Sequence, residues 1–546
     1  MNKKAFAGLF LLIVICAAGL RLADLGLRPM HHDEANQALK FGALLETGEY
    51  RYDKSDHHGP SLYYLSLPFA RALGAETIAE LNERALRLVP AGFGVGAILL
   101  LLLFVPLIGR EGVLWSALGL AVSPVMVYFS RFYIQETLLL FFLAGFIAAL
   151  WHYKRRPSWA WALAAGVFAG MMYATKETSV IAFGSVAAAF ILTHLTRSAR
   201  EKELVQTPIA LVGPKQNREE QRTGGSDSRW SKPRPRNFWG HLIQGIGSAL
   251  IVSFLLFTSF FENPRGWLDS ILSFKVYFVR AGEAGFHLHP WNYYLRTLSF
   301  SKSGSGPVWS EALILILAAA GVAAAFGRRP KAPGDRPVPR FLVFYTLFST
   351  AAYSLIPYKT PWNILPFYLG FVLLAGSGAS GLLSAWRSRR VRALLFLLLA
   401  AGFLLLGVQA WRASFVYPAD PRNPYVYAQT NPDFLKLVRR VEELAAIHPD
   451  REKMLIKVIA GPYETWPLPW YLRGFGRVGY WQDAAGAGPL EEASVLITDS
   501  GQAGHLESLL APSYQSEYYG LRPNVFLVLH VRTDLWEEYL KSGAEK

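Results

Sequence analysis

Apolar runs long enough to cross a bilayer recur along this chain, and no other feature constrains its fold as strongly. A helix needs about 20 residues to span the hydrocarbon, roughly 17 at the short end. Eleven runs of that order lie near 5–25, 87–108, 112–130, 134–152, 158–175, 178–196, 239–261, 311–327, 341–357, 362–384 and 393–412. Backbone inside lipid must satisfy its own hydrogen bonds, so runs of this length predict a polytopic helical core. Hydrophobic residues at 52% against 17% charged agree with that class.

The basic residues then orient the core, because short cytoplasmic loops retain Lys and Arg. Lys3 and Lys4, Lys154 to Arg156, Arg197 to Arg236, Arg328 to Lys331 and Arg387 to Arg392 all fall on one side. That side is predicted to be the cytoplasm of a multi-pass plasma (inner) membrane protein with a cytoplasmic N-terminus. The net charge of +15 is thereby explained by topology, and nucleic-acid binding is set aside. The opposite side receives the loops 26–86 and 262–310 and everything after about 413. The first run reads as an uncleaved anchor rather than a signal peptide. Cys16, alone in the chain, forms no internal disulfide.

Two segments lack membrane character. Residues 199–238 are rich in charged residues, Gln, Pro and Gly, and read as a disordered cytoplasmic loop. Residues 413–546 show a helical pattern at 432–446 and strand-like runs at 455–459, 494–498 and 525–529, which predicts an external α/β domain. The division expected is a membrane domain at 1–412 and this second domain at 413–546.

Candidate chemistry gathers where external loops meet the spans. Asp33 and Glu34 follow the first run, and His57-His58-Gly59-Pro60, Arg131 with Glu136, Lys176 with Glu177, and Tyr358-Lys359-Thr360 occupy the same level. Ionisable groups beside hydrocarbon are costly and mark function by default. A carboxylate base with a cation clamp, facing outward beside lipid, suits transfer of a group from a lipid-linked phosphate.

At these residues the chain resembles the GT-C membrane glycosyltransferases that use polyprenyl-phosphate sugars. It is similar to the protein O-mannosyltransferases, the lipid A aminoarabinose transferases and the flippase-activity-associated membrane proteins. Asp33-Glu34 matches the acidic motif of the first external loop in type and place. His57 to Tyr64 occupies the position of an acid-Lys-Pro-Pro-Leu-Tyr-Tyr motif, with His57 for the acid and His58 for the lysine. Ser130-Arg131 with Glu136, Ala174-Thr175-Lys176-Glu177, and Lys359 followed by Asn363 to Pro366 resemble three further family elements in order.

The resemblance implies an inverting glycosyltransferase that moves a sugar from a polyprenyl-phosphate donor to an acceptor hydroxyl on a glycan, lipid or protein. Asp33, Glu34 and Glu136 are the catalytic candidates, with Asp33 as base. His58, Arg131, Lys176 and Lys359 are the candidates for donor phosphate. No cofactor is required by this scheme; a divalent metal held by His57, His287 and His289 is a further candidate, since imidazoles suit zinc. Trp267, Leu268, Ile271, Leu272, Phe274, Tyr277 and Phe278 have mostly helical spacing and predict a helix on the membrane surface. A lipid-linked sugar flippase or a noncatalytic assembly protein would use the same fold, and loss of Asp33 separates those readings.

Overall fold

A computed structural model of the chain describes residues 1–54, 58–196, 237–280, 287–326, 340–510 and 513–544. The expected disordered loop 199–238 lies outside them except for its last two residues, as does His57. Each of the eleven apolar runs is helical. Lys3–Leu22, Glu83–Val122, Glu136–Arg155, Phe238–Phe257, Pro361–Ala385 and Arg389–Val416 are long and apolar enough to cross a membrane. Trp159–Tyr173, Ser179–Leu195 and Ala312–Phe326 are shorter apolar helices, and Arg340–Leu355 completes the set.

The stretch Glu83–Val122 covers two of the runs because it breaks at Gly109, whose φ of 76° and ψ of 169° lie outside the helical region. Glycine accepts that backbone without strain. The run predicted at 112–130 breaks again at Ser123, whose side chain accepts a hydrogen bond from the Met126 amide and starts a short helix, Pro124–Ser130. Arg131 is the C-cap of that short helix, and Glu136 opens the next one, Glu136–Arg155.

Small residues let the helices approach closely. A Cβ on Gly378 would lie 1.9 Å from the Leu317 carbonyl oxygen, and one on Gly321 would lie 2.2 Å from that of Leu374. Helix association in lipid rests on such contacts, since lipid tails are as apolar as leucine. Leu11, Ile15, Ile243, Ile251, Leu397 and Leu404 stay exposed, as a lipid-facing surface requires. The amphipathic helix expected in loop 262–310 forms as Gly266–Arg280, with Ser270 and Ser273 turned inward and Leu268, Ile271 and Leu272 exposed.

The C-terminal region is an α/β domain built on one five-stranded sheet. Its strands are β1 (Ile456–Ile459), β2 (Val478–Trp481), β3 (Val495–Asp499), β4 (Tyr514–Arg522) and β5 (Val525–Arg532), in the order β2-β1-β3-β5-β4. β1 pairs in parallel with β2 and β3, whereas β5 is antiparallel to β3 and β4. The three strands expected from sequence are the three central ones. The edge strands β2 and β4 are only partly buried; β2 has just four residues and polar residues interrupt β4.

Three hydrogen bonds fasten the segments around this sheet to the loop after the first helix. Gln429 Nε2 donates to the Pro29 carbonyl at 3.2 Å, Thr430 Oγ1 to the Met30 carbonyl at 2.7 Å, and the Met30 amide to Tyr471 Oη at 2.9 Å.

Candidate active site

The helix His32–Thr47 begins immediately after that fastened loop. His31 caps it: Nδ1 accepts from the Asp33 amide at 3.0 Å, while the Glu34 side chain accepts from the His31 amide at 3.0 Å. This is a reciprocal capping box, with histidine in place of the usual hydroxyl. Because Nδ1 accepts, the proton sits on Nε2, which donates to the Tyr427 carbonyl at 3.0 Å.

The cap separates two adjacent carboxylates. Glu34 is fully buried, and Arg87 donates to it twice at 2.7 Å, from Nε and Nη2. The Tyr133 amide adds a third donor at 2.9 Å, and Arg28 stands 3.9 Å away. Burial pushes the Glu34 carboxyl up, but Arg87 and Arg28 outweigh it and hold it at about 2. Glu34, expected among the catalytic groups, has its oxygens fully engaged in joining the first loop to the helix Glu83–Leu100. A base needs a free lone pair for the incoming proton, and Glu34 has none to offer.

Asp33 is the contrasting case. Its side chain is 42% exposed, and among the described residues no hydrogen bond reaches its oxygens. Burial acts to raise its carboxyl, while His31, His32, His58 and Lys176 outweigh that effect and hold it below the ordinary aspartate range. The result is an ionised, accessible carboxylate set among three imidazoles and the Lys176 ammonium.

Lys176 and Glu136 form an ion pair, both almost fully buried, and Lys176 Nζ also lies 3.4 Å from Asn363 Oδ1. The second oxygen of Glu136 is buried and has no hydrogen-bond partner among the described residues. His58 Nδ1 meets Glu177 Oε2 at 2.9 Å, and Tyr52 Oη donates to the other Glu177 oxygen at 3.0 Å. Burial raises the Glu177 carboxyl, and His58 more than compensates, leaving it below its ordinary value. Lys359 Nζ donates to the carbonyls of His289 at 3.1 Å and Ile356 at 2.5 Å, and no carboxylate among the described residues pairs with it.

Arg131 departs from its expected role at the donor phosphate. Its Nη1 donates to the carbonyls of Leu20, Arg21 and Ala23, and its Nη2 to that of Asp24 at 2.9 Å. These carbonyls end the first helix, where the last turn has no intrahelical donors and carries partial negative charge. Phe415 covers the guanidinium at 4.4 Å. Arg131 is therefore a helix cap, its guanidinium committed to these carbonyls.

His287 and His289 flank a bridge between Leu288 and Tyr358. His287 Nδ1 lies 2.6 Å from Tyr427 Oη, and His289 stacks on Tyr293 with ring centroids 4.2 Å apart. Among the described residues no group of three or more His, Cys, Asp or Glu is placed to hold a metal ion.

The structure also brings in residues that the sequence reading passed over. Tyr427 links His31 to His287, Trp466 stacks on His32 with centroids 5.3 Å apart, and Arg522 lies close enough for its charge to act on Asp33. No local pattern marks them, since Tyr427 is 396 residues from the histidine it meets. Glu177 had a signal in its adjacency to Lys176.

Residues 48–265 match the family model for Dolichyl-phosphate-mannose-protein mannosyltransferase. The match takes in His58, Arg131, Glu136 and Lys176 and leaves out Asp33 and Lys359. No curated protein sequence matches the chain. Among solved structures, ArnT from Cupriavidus metallidurans bound to undecaprenyl phosphate is similar at 13% identity, over 98% of this chain and 99% of that one, with a TM-score of 0.59. The archaeal oligosaccharyltransferase AglB from Archaeoglobus fulgidus, in complex with an inhibitory peptide and a dolichol-phosphate, aligns over 98% of this chain and 77% of its own at 13% identity, with a TM-score of 0.50. The apo form of the Archaeoglobus fulgidus oligosaccharyltransferase gives 14% identity over the same shares and a TM-score of 0.52. The chain shares the fold of these ArnT and oligosaccharyltransferase structures.

Proposed function

We propose that this integral membrane protein of the GT-C fold is an inverting glycosyltransferase, which moves a sugar from a polyprenyl phosphate to an acceptor hydroxyl. The observation that carries the reading is Asp33, an accessible carboxylate with unengaged oxygens among His31, His32, His58 and Lys176. The lipid phosphates named for the ArnT and AglB structures support a polyprenyl-phosphate donor, and the mannosyltransferase match over 48–265 supports sugar transfer. The basic loops support a site on the external face, with the N-terminus and the Lys/Arg-rich turns in the cytoplasm.

In this scheme Asp33 takes the proton of the acceptor hydroxyl as its oxygen attacks the anomeric carbon. The new carbon–oxygen bond forms on the face opposite the phosphate, and the anomeric carbon–oxygen bond to phosphate breaks. The bonding pair leaves with the polyprenyl phosphate. Phosphate is a good leaving group, so fixed cations that receive its charge replace a general acid. Lys359, bonded only to carbonyls, and Lys176 supply that charge. His58, fixed by Glu177, is a weaker third contact, since imidazole is a poorer phosphate clamp than ammonium. Glu136 and Glu34 act through these groups, holding Lys176 and the Asp33 helix.

The test is transfer of radiolabelled sugar from a panel of polyprenyl-phosphate sugars in membranes carrying wild type or Asp33→Asn. The amide keeps the shape and removes the base, and a general base is worth about 10²–10⁴ in rate. Transfer by wild type that survives in Asp33→Asn at equal expression would remove Asp33 as the base. No transfer by either form would return the weight to a flippase or assembly role.

A further inference from the structure

The C-terminal domain adds more than a lid to this site. The segment between β1 and β2 carries Tyr463 and Trp466 onto the helix that presents Asp33. The Trp466 ring lies nearly parallel to that of His32, with 17° between planes, and Tyr463 sits 6.3 Å from the same imidazole. Tyr463 leaves 61% of its surface open. Arg522, the last residue of β4, donates Nη2 to the carbonyls of Tyr463 and Trp466, the latter at 3.3 Å.

Carbonyl contacts anchor the guanidinium without neutralising it. Among the described residues Arg522 forms no ion pair within bonding distance; the acidic charges acting on it are Glu464 and then Asp33, and its own charge acts on His31. An exposed aromatic face, a stacked indole and an anchored cation thus gather at His32, the residue before the proposed base. Aromatic faces are electron-rich and attract the polarised C–H groups of a sugar ring, and guanidinium favours carboxylate.

We propose that Tyr463, Trp466 and Arg522 form an acceptor subsite for an acidic saccharide, its ring against Tyr463 and its carboxylate on Arg522, with a sugar hydroxyl directed to Asp33. This rests on the glycosyltransferase reading for its catalytic meaning. The subsite itself is tested without donor, so binding stands or falls separately from transfer.

The experiment titrates full-length protein in detergent with a glucuronate tetrasaccharide, a neutral glucose tetrasaccharide and a glutamate tetrapeptide, reading heat or tryptophan fluorescence. The acidic saccharide is expected to bind saturably and more tightly than either control. Tyr463→Ala and Arg522→Gln should each weaken it about tenfold, or about 1.4 kcal/mol, and Arg522→Gln should leave the neutral tetrasaccharide unaffected. Tyr463→Trp keeps the platform and should keep binding, which separates loss of the ring from loss of the fold. Absent binding by wild type, wild-type binding by Tyr463→Ala or Arg522→Gln, or preference for the peptide would each overturn the proposal.

Discussion

Asp33 and Glu34 show how far a residue's chemistry depends on partners distant in sequence. Both are acids at the lip of the first span, and adjacency gives them the same sequence signal. What divides them is Arg87, which lies 53 residues from Glu34 and occupies its oxygens. The location of the site was therefore legible in the chain, because charge beside hydrocarbon is rare. The roles of Glu34 and Arg131 were not, because each is decided by who arrives at its polar atoms. His31 yields a prediction at this scale. Burial pushes its imidazole down, so the folded protein holds it neutral, as the Asp33 amide bond requires. Below about pH 6.5 the unfolded imidazole takes a proton that the folded one refuses. Its contribution to stability is thus present above that pH and lost as pH falls toward the lower folded value. Thermal unfolding of wild type should weaken between pH 7 and 5, and His31→Asn, which retains a capping oxygen, should flatten that dependence. Parallel profiles for the two proteins would show that His31 is not the titrating group.

At the scale of elements, the site depends on two loops meeting. The Ser61 amide donates to the Ala174 carbonyl at 2.9 Å, and the Ser61 and Thr175 hydroxyls meet at 2.7 Å. This contact sets His58 against Glu177 and holds the turn that carries Lys176. Gly59 makes it attainable, because a Cβ there would lie 2.2 Å from the Ala174 carbonyl oxygen. Backbone cannot yield as a flexible side chain can. Gly59→Ala should push the loops apart and cost roughly 1–3 kcal/mol, the range for overpacking. The transfer rate should fall further than the thermal midpoint suggests, since His58 and Lys176 both shift. A variant with wild-type transfer kinetics and stability would refute this account of the junction. The sequence pattern placed His58-Gly59-Pro60 and Lys176-Glu177 at one membrane level. It could not show that the two loops touch, because hydropathy fixes depth in the bilayer but not lateral neighbours.

Across the whole molecule, the C-terminal domain and the membrane core share responsibility for one carboxylate. Thr430 and Gln429 hold the carbonyls of Met30 and Pro29, Tyr471 holds the Met30 amide, and the Tyr427 carbonyl receives the His31 proton that fixes the Asp33 cap. Trp470 Nε1 donates to Glu83 at 3.0 Å and Arg473 Nε to the Ile78 carbonyl at 3.1 Å, which extends the seam along the first loop. The sequence separated these two parts by composition, membrane runs against strand runs, and helices and a sheet form where those patterns lie, although the helix Arg389–Val416 runs past the expected boundary at 412. Their joint construction of the site escaped that reading because most of these side chains meet backbone carbonyls and amides far away along the chain, which have no sequence signature. It follows that damage to the seam should act on catalysis and not on acceptor choice alone. Thr430→Val removes the hydroxyl donor to Met30 while keeping the side chain's shape, at a cost of about 0.5–1.5 kcal/mol for one hydrogen bond. The prediction is a lower kcat with every acceptor tested and an unchanged ranking of acceptors, measured in the same transfer assay. If Thr430→Val instead reorders the acceptors while the rate with the best one is preserved, the seam serves selection, and the Asp33 loop is held by the membrane core on its own.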